Sequence, residues 1–154
     1  MKAKILIVDD DLDLVEMLRL VLTESGYATS VAFTGTEALK KARRTPPDLV
    51  LLDLILPDLN GFNVCTALRM DPAMATIPII MMTAMPGEIP RFAGIETGAD
   101  AYLNKPFPVD GLVALVHDQL YGTCSSPTAF ESAQAMAAIV SLPPASNRPG
   151  ITVG

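Results

Sequence analysis

The chain predicts an α/β fold, a doubly wound parallel sheet of five strands with helices on both faces. Three observations carry this. Short unbroken apolar runs recur through residues 1–121, as expected of strands buried on both faces. Each run is followed by a segment with helical spacing, the pattern of repeated βα units. Several runs also end on a charged or hydroxyl side chain, which places such groups together at one edge of a parallel sheet: Asp9, Asp53, Thr83 and Lys105.

Residues 4–8 form the first strand, Lys4-Ile5-Leu6-Ile7-Val8, and residues 11–24 the first helix. Leu14, Val15, Leu18, Val21 and Leu22 make its apolar stripe, and Gly26 is a stop signal. Asp11 and Asp13 suit the positive N-terminus of that helix. A weaker strand over 28–32 leads into a helix over about 36–44, which starts at Thr34-Gly35-Thr36 and ends before Pro46-Pro47. Lys40, Lys41, Arg43 and Arg44 read as its solvated face.

The third strand covers about 48–52 and runs into Asp53; Pro57, Asn60 and Gly61 then break the chain. A helix over about 62–69 turns Phe62, Cys65 and Leu68 to one side. The fourth strand, 78–82, ends in Thr83-Ala84, and a short helix is expected over about 88–97. The fifth strand, 100–104, precedes Lys105-Pro106-Phe107, and a last helix over about 109–120 buries Leu112, Leu115, Val116 and Leu120. The connections are expected to be right-handed crossovers.

Composition shifts after Gly122. Residues 122–154 carry only Glu131 and Arg148 as charges and are rich in Ala, Ser and Pro. The chain therefore divides into a domain over 1–121 and a C-terminal extension over 122–154. Ser126-Pro127 is a helix start, and Phe130, Ala133, Ala137 and Val140 fall near one face of a helix expected over 127–141.

The 154 residues are half hydrophobic, enough for one domain with a real core. A net charge of −6 argues against nucleic acid as a direct partner of this chain. No run approaches the roughly 18 apolar residues of a membrane span. Cys65 and Cys124 have neither metal-ligand spacing nor a disulfide framework, so a reducing, cytoplasmic setting is the default. With His117 as the only histidine, a multi-histidine metal site is excluded.

In an open parallel sheet the site lies beyond the carboxyl ends of the strands. Asp9, Asp10 and Asp53 would meet there. Three carboxylates in one small volume raise each other's pKa, and a divalent cation relieves this. Hard oxygen ligands with room for water suit Mg2+. Lys105 adds a second positive charge and Thr83 a hydroxyl donor. Such a group of residues would hold a phosphoryl group on a nucleophilic Asp.

These residues also carry a family resemblance. The set Val8-Asp9-Asp10, Leu52-Asp53 with Pro57 and Gly61, Met82-Thr83-Ala84, and Tyr102-Leu103-Asn104-Lys105-Pro106-Phe107 resembles the receiver domain of two-component response regulators. The resemblance spans about residues 3–121, with all four pieces in order at matching spacing. It implies the flavodoxin-like (βα)5 fold of chemotaxis regulators, strand order 2-1-3-4-5.

The resemblance also implies roles. Asp53 becomes the phosphoacceptor, served by a sensor histidine kinase or a histidine phosphotransfer protein. Asp10 ligates Mg2+ directly, Asp9 directly or through water, and Asp53 and the backbone carbonyl of Ile55 join them. Thr83, Ala84 and Lys105 bind the phosphoryl group. Thr83 and Tyr102 are the switch positions, the hydroxyl moving to the phosphate and the ring turning inward. Lys105-Pro106 is expected to be cis.

By the same resemblance the chain is a signalling domain rather than an enzyme, with only slow self-phosphorylation and dephosphorylation. The helix over about 88–97, the strand carrying Tyr102 and the helix over about 109–120 form the output face, for an unknown downstream protein or a homodimer. Two other functions compete. A Mg2+-dependent aspartyl-phosphate phosphohydrolase usually has a second Asp two residues after the nucleophile, where this chain has Ile55. A non-phosphorylated receiver-like scaffold would not need Asp9, Asp10, Asp53, Thr83 and Lys105 together.

Overall fold

The computed structural model describes residues 2–84, 98–122 and 139–141. Five parallel strands, β1 (Lys4–Val8), β2 (Ala28–Ala32), β3 (Leu49–Asp53), β4 (Ile79–Thr83) and β5 (Ala101–Asn104), lie in the order 2-1-3-4-5. A short sixth strand, β6 (Ile139–Ser141), adds to the outer edge of β5 in antiparallel sense. The described helices are α1 (Leu12–Glu24), α2 (Gly35–Arg44), α3 (Gly61–Met70) and α4 (Val109–Tyr121).

The unbroken apolar runs have a direct explanation. Successive residues of a strand point to opposite faces, and both faces are covered. Leu6, Val8, Val50, Leu52, Ile79 and Met81 join one core with Ala38 and Ala42 of α2 and Val64, Cys65 and Leu68 of α3. Ile5, Ile7, Leu49, Leu51, Ile80 and Met82 join the other with Val15, Leu18 and Leu22 of α1 and Leu112, Leu115 and Val116 of α4. Every residue of β3 and β4 is buried.

Local signals place the helix starts. The Asp11 side chain accepts from the N–H groups of Asp13 and Leu14, so it caps α1. Thr34 accepts from Glu37 N–H at α2, and Asn60 from Asn63 N–H at α3. Cys65 is buried in the core and His117 is exposed, with its ring 4.9 Å from that of Tyr121.

Two expectations need comment. The helix over about 88–97 lies outside the described residues, as does 127–138 of the helix expected over 127–141. The last three residues of that stretch are not helical: Ile139, Val140 and Ser141 are a strand, opposite Leu103, Tyr102 and Ala101. The physical reason is the outer edge of β5, a row of backbone donors and acceptors that an extended segment satisfies. The β-branched pair Ile139-Val140 suits that role better than an Ala-rich helical stripe would suggest.

Candidate functional site

β1, β3 and β4 end side by side, because Ile5–Val8 pairs with Leu49–Leu52 and Val50–Asp53 pairs with Ile79–Met82. Asp9 follows β1, Asp53 closes β3, Thr83 closes β4 and Lys105 follows β5. Carboxylate oxygens of Asp9, Asp10 and Asp53 all lie within 4.8 Å of one another. Asp9 and Asp53 are buried, whereas Asp10 is exposed. Thr83 is fully buried, and Ala84 beyond it is exposed.

Lys105 reaches both buried acids. Its Nζ donates to Asp9 Oδ2 at 2.7 Å and stands 3.5 Å from Asp53 Oδ2. The tighter partner is therefore Asp9, which the sequence reading did not pair with this lysine. Asp9 Oδ1 also accepts from Asp11 N–H at 2.9 Å, and Asp53 Oδ1 from Ile55 N–H at 3.3 Å. Lys105-Pro106 is cis, as the resemblance implied.

Burial and the Asp9 charge push the Asp53 carboxyl up from its ordinary 3.8 to about 6, against the opposing pull of Lys105 and the Ile55 N–H. Burial pushes the Lys105 ammonium down, but its hydrogen bond to Asp9 and the charges of Asp9 and Asp53 outweigh this and leave it raised. Three acids around one lysine leave an excess of negative charge. Oxygen donors alone, two buried and one open to water, fit a hydrated hard cation. The side chain of Ile55 is exposed, and its backbone bridges to Asn60 across the loop.

Gly61 shapes this corner. A Cβ there would stand 2.5 Å from the Asp53 carbonyl oxygen and 2.8 Å from Leu54 Cα. α3 thus starts against the backbone at the end of β3, a closeness only glycine permits. Tyr102, on β5, is buried within the α2–α3 core. Its ring lies in the inward placement.

Sequence reasoning missed Asp58. Its Oδ1 accepts from Gly35 and Leu59 N–H, both at 2.8 Å, and its Oδ2 from Thr36 N–H at 3.0 Å and Thr36 Oγ1 at 2.6 Å. These contacts hold the carboxyl well below the usual carboxylate range, the Thr36 hydroxyl foremost. No local signal links Asp58 to Thr36 across 22 positions.

Known proteins resemble this chain over its parallel fold. The DNA-binding response regulator MtrA of Mycobacterium leprae (strain TN) is 48% identical over 120 residues, 78% of this chain and 52% of that protein. The alkaline phosphatase synthesis transcriptional regulatory protein PhoP of Bacillus subtilis (strain 168) is 47% identical over 107 residues, 70% of this chain and 44% of that protein. The chain thus spans about half the length of the curated relatives it matches. The chemotaxis response regulator CheY4 of Vibrio cholerae superposes with a TM-score of 0.74 at 32% identity, over 78% of this chain and all of that one. The model of the response regulator receiver domain matches residues 5–117, from the first strand to the last helix of the parallel fold, and the chain belongs to that family.

Proposed function

We propose that residues 1–121 act as a phosphoacceptor receiver and that residues 122–154 are an appended extension. The observation that carries this is Asp53 itself: one carboxylate at the end of the central strand, beside two further acids and 3.5 Å from Lys105. The donor is a phosphohistidine on a sensor kinase or phosphotransfer protein.

An Asp53 oxygen attacks phosphorus, an O–P bond forms, the N–P bond breaks and the histidine leaves. With its pKa at about 6, Asp53 is mostly ionised at neutral pH and so carries the electron pair the attack needs. Lys105 shifts from Asp9 toward the phosphoryl oxygens. The Thr83 hydroxyl and the Ala84 N–H donate to the same group. Asp9, Asp10, Asp53 and the Ile55 carbonyl would hold Mg2+, which would supply positive charge to offset that of the phosphoryl oxygens. Tyr102, expected to turn inward on switching, is already buried here, so a Thr83 shift toward the phosphate would favour the arrangement the ring now has over an outward one.

Signalling follows from the changed surface near β5, where a downstream protein or a second copy docks. Nucleic acid is not a direct partner of this acidic chain. The relative named as a DNA-binding regulator is about twice as long as the stretch matched here. The proposal is tested by intact-mass analysis after incubation with a small acyl phosphate, with and without Mg2+. Stoichiometric, Mg2+-dependent labelling of wild type and none of Asp53→Asn is expected. Labelling of the variant to the same extent refutes the acceptor assignment.

A further inference from the structure

We propose that Asp58 is the positioning residue of the acceptor loop, tying it to α2 so that Ile55 is held in place beside Asp53. This rests on the function proposed above and extends it to a residue outside the acidic cluster.

The loop between β3 and α3 is closed at its base and pinned at its tip. At the base, Gly61 N–H donates to the Leu54 carbonyl at 2.6 Å and Ile55 bridges to Asn60. At the tip, Asp58 is exposed, yet both of its oxygens are engaged. They take three backbone N–H groups and one hydroxyl, from two separate elements. An exposed carboxylate would ordinarily be satisfied by water at no cost in order, so four protein donors mark a fixed attachment. Filled oxygens also exclude Asp58 as a spare metal ligand.

Packing confirms the attachment point. A Cβ on Gly35 would meet Leu59 Cβ at 2.9 Å and Val64 Cγ2 at 2.8 Å. Gly35 therefore lets α2 approach the loop tip closely enough for its first N–H groups to reach Asp58. These N–H groups lie in the first turn of α2, where a carboxylate is favoured. With base and tip both fixed, the loop has little freedom left. Releasing the tip frees the segment that carries Ile55, whose N–H donates to Asp53 and whose carbonyl is a proposed ligand of the ion.

The test combines amide hydrogen exchange and Mg2+ titration on the full chain, for wild type, Asp58→Ala, Asp58→Asn and Thr36→Val. In Asp58→Ala, exchange at Ile55 and Leu59 should accelerate about tenfold relative to Leu49–Leu52, as expected when a local opening loses its restraint. Mg2+ should bind about tenfold more weakly, the scale found when a residue supporting a metal ligand is lost. Asp58→Asn and Thr36→Val should fall between, since each leaves part of the attachment. Unchanged exchange at Ile55 in Asp58→Ala overturns the proposal. So does equal acceleration throughout β3, which would mean a global effect only, and so does Mg2+ affinity within twofold of wild type. If wild type itself fails to bind Mg2+, the ion site falls, and the exchange data alone decide the attachment.

Discussion

Replacing Asp53 by Asn should stabilise the protein, and more so as pH rises. The reasoning starts from the carboxyl's displacement from 3.8 to about 6, caused by burial and then by the Asp9 charge. A carboxyl raised in this way holds its proton more tightly folded than unfolded. Folding stability attached to Asp53 is therefore greatest at low pH and is lost as pH rises from about 4 to about 6. The displacement of about two units corresponds to roughly 3 kcal/mol at full ionisation, using 1.36 kcal/mol per unit. At pH 4.5 only about 1 kcal/mol of this is in force, because the folded carboxyl is still protonated. The neutral variant escapes the cost at every pH.

The stability difference between Asp53→Asn and wild type should thus grow by about 2 kcal/mol between pH 4.5 and pH 8. Titrating groups far from Asp53 cancel in this comparison, and so does the fixed cost of the amide. Urea unfolding followed by far-ultraviolet circular dichroism is the suitable assay, as the chain has no Trp. A chelator keeps divalent ions out. A difference that stays flat with pH, or shrinks, would refute the claim that the fold penalises ionised Asp53. Adding Mg2+ at pH 8 should then stabilise wild type by an amount set by its affinity and leave the variant far less changed.

Three further outcomes follow from the same contacts. Lys105→Met leaves fully buried Asp9 without its 2.7 Å partner, so urea unfolding should show a loss of about 3 kcal/mol or more, and an NMR titration should find Asp53 raised further. Arg69→Met removes donors to the Gly98, Ala75 and Ile77 carbonyls and to Asp100, at the sheet edge opposite the acids; stability should fall by about 3 kcal/mol while Mg2+ affinity stays unchanged. Gly61→Ala forces a methyl against the Asp53 carbonyl and Leu54, which should cost about 2 kcal/mol or more in urea unfolding and disturb the acceptor.

What the sequence made legible, and what it hid, have different physical origins. The five strands were legible because burial on both faces turns each of them into an unbroken apolar run, and a parallel sheet then brings the strand ends to one edge. That argument places Asp9, Asp53, Thr83 and Lys105 together without any knowledge of contacts. It cannot say which acid takes the lysine. Contacts between distant side chains and backbone leave no periodic trace either, so Arg69 reaching Gly98 and Asp58 reaching Thr36 were invisible. β6 was hidden for a related reason: three residues are too few to show a period, and the Ala-rich stretch before them reads as helix.

The pairing of Lys105 can be argued once burial is known. Asp9 is fully shielded from water and Asp53 retains a little exposure, 0% against 6%. The more deeply buried charge gains more from a close ammonium, because water screens it least. Lys105 therefore sits at 2.7 Å from Asp9 and 3.5 Å from Asp53. Asp53 is left the less compensated of the two, so Lys105 offsets only part of the burial and Asp9 charge that raise its carboxyl. The nucleophile proposed above would benefit from that arrangement. A carboxylate gripped as tightly as Asp9 would have to break a short ion pair before attacking phosphorus. In the transfer proposed above, Asp53 would have only a long contact to give up, while Lys105 would leave Asp9 for phosphoryl oxygens arriving close by.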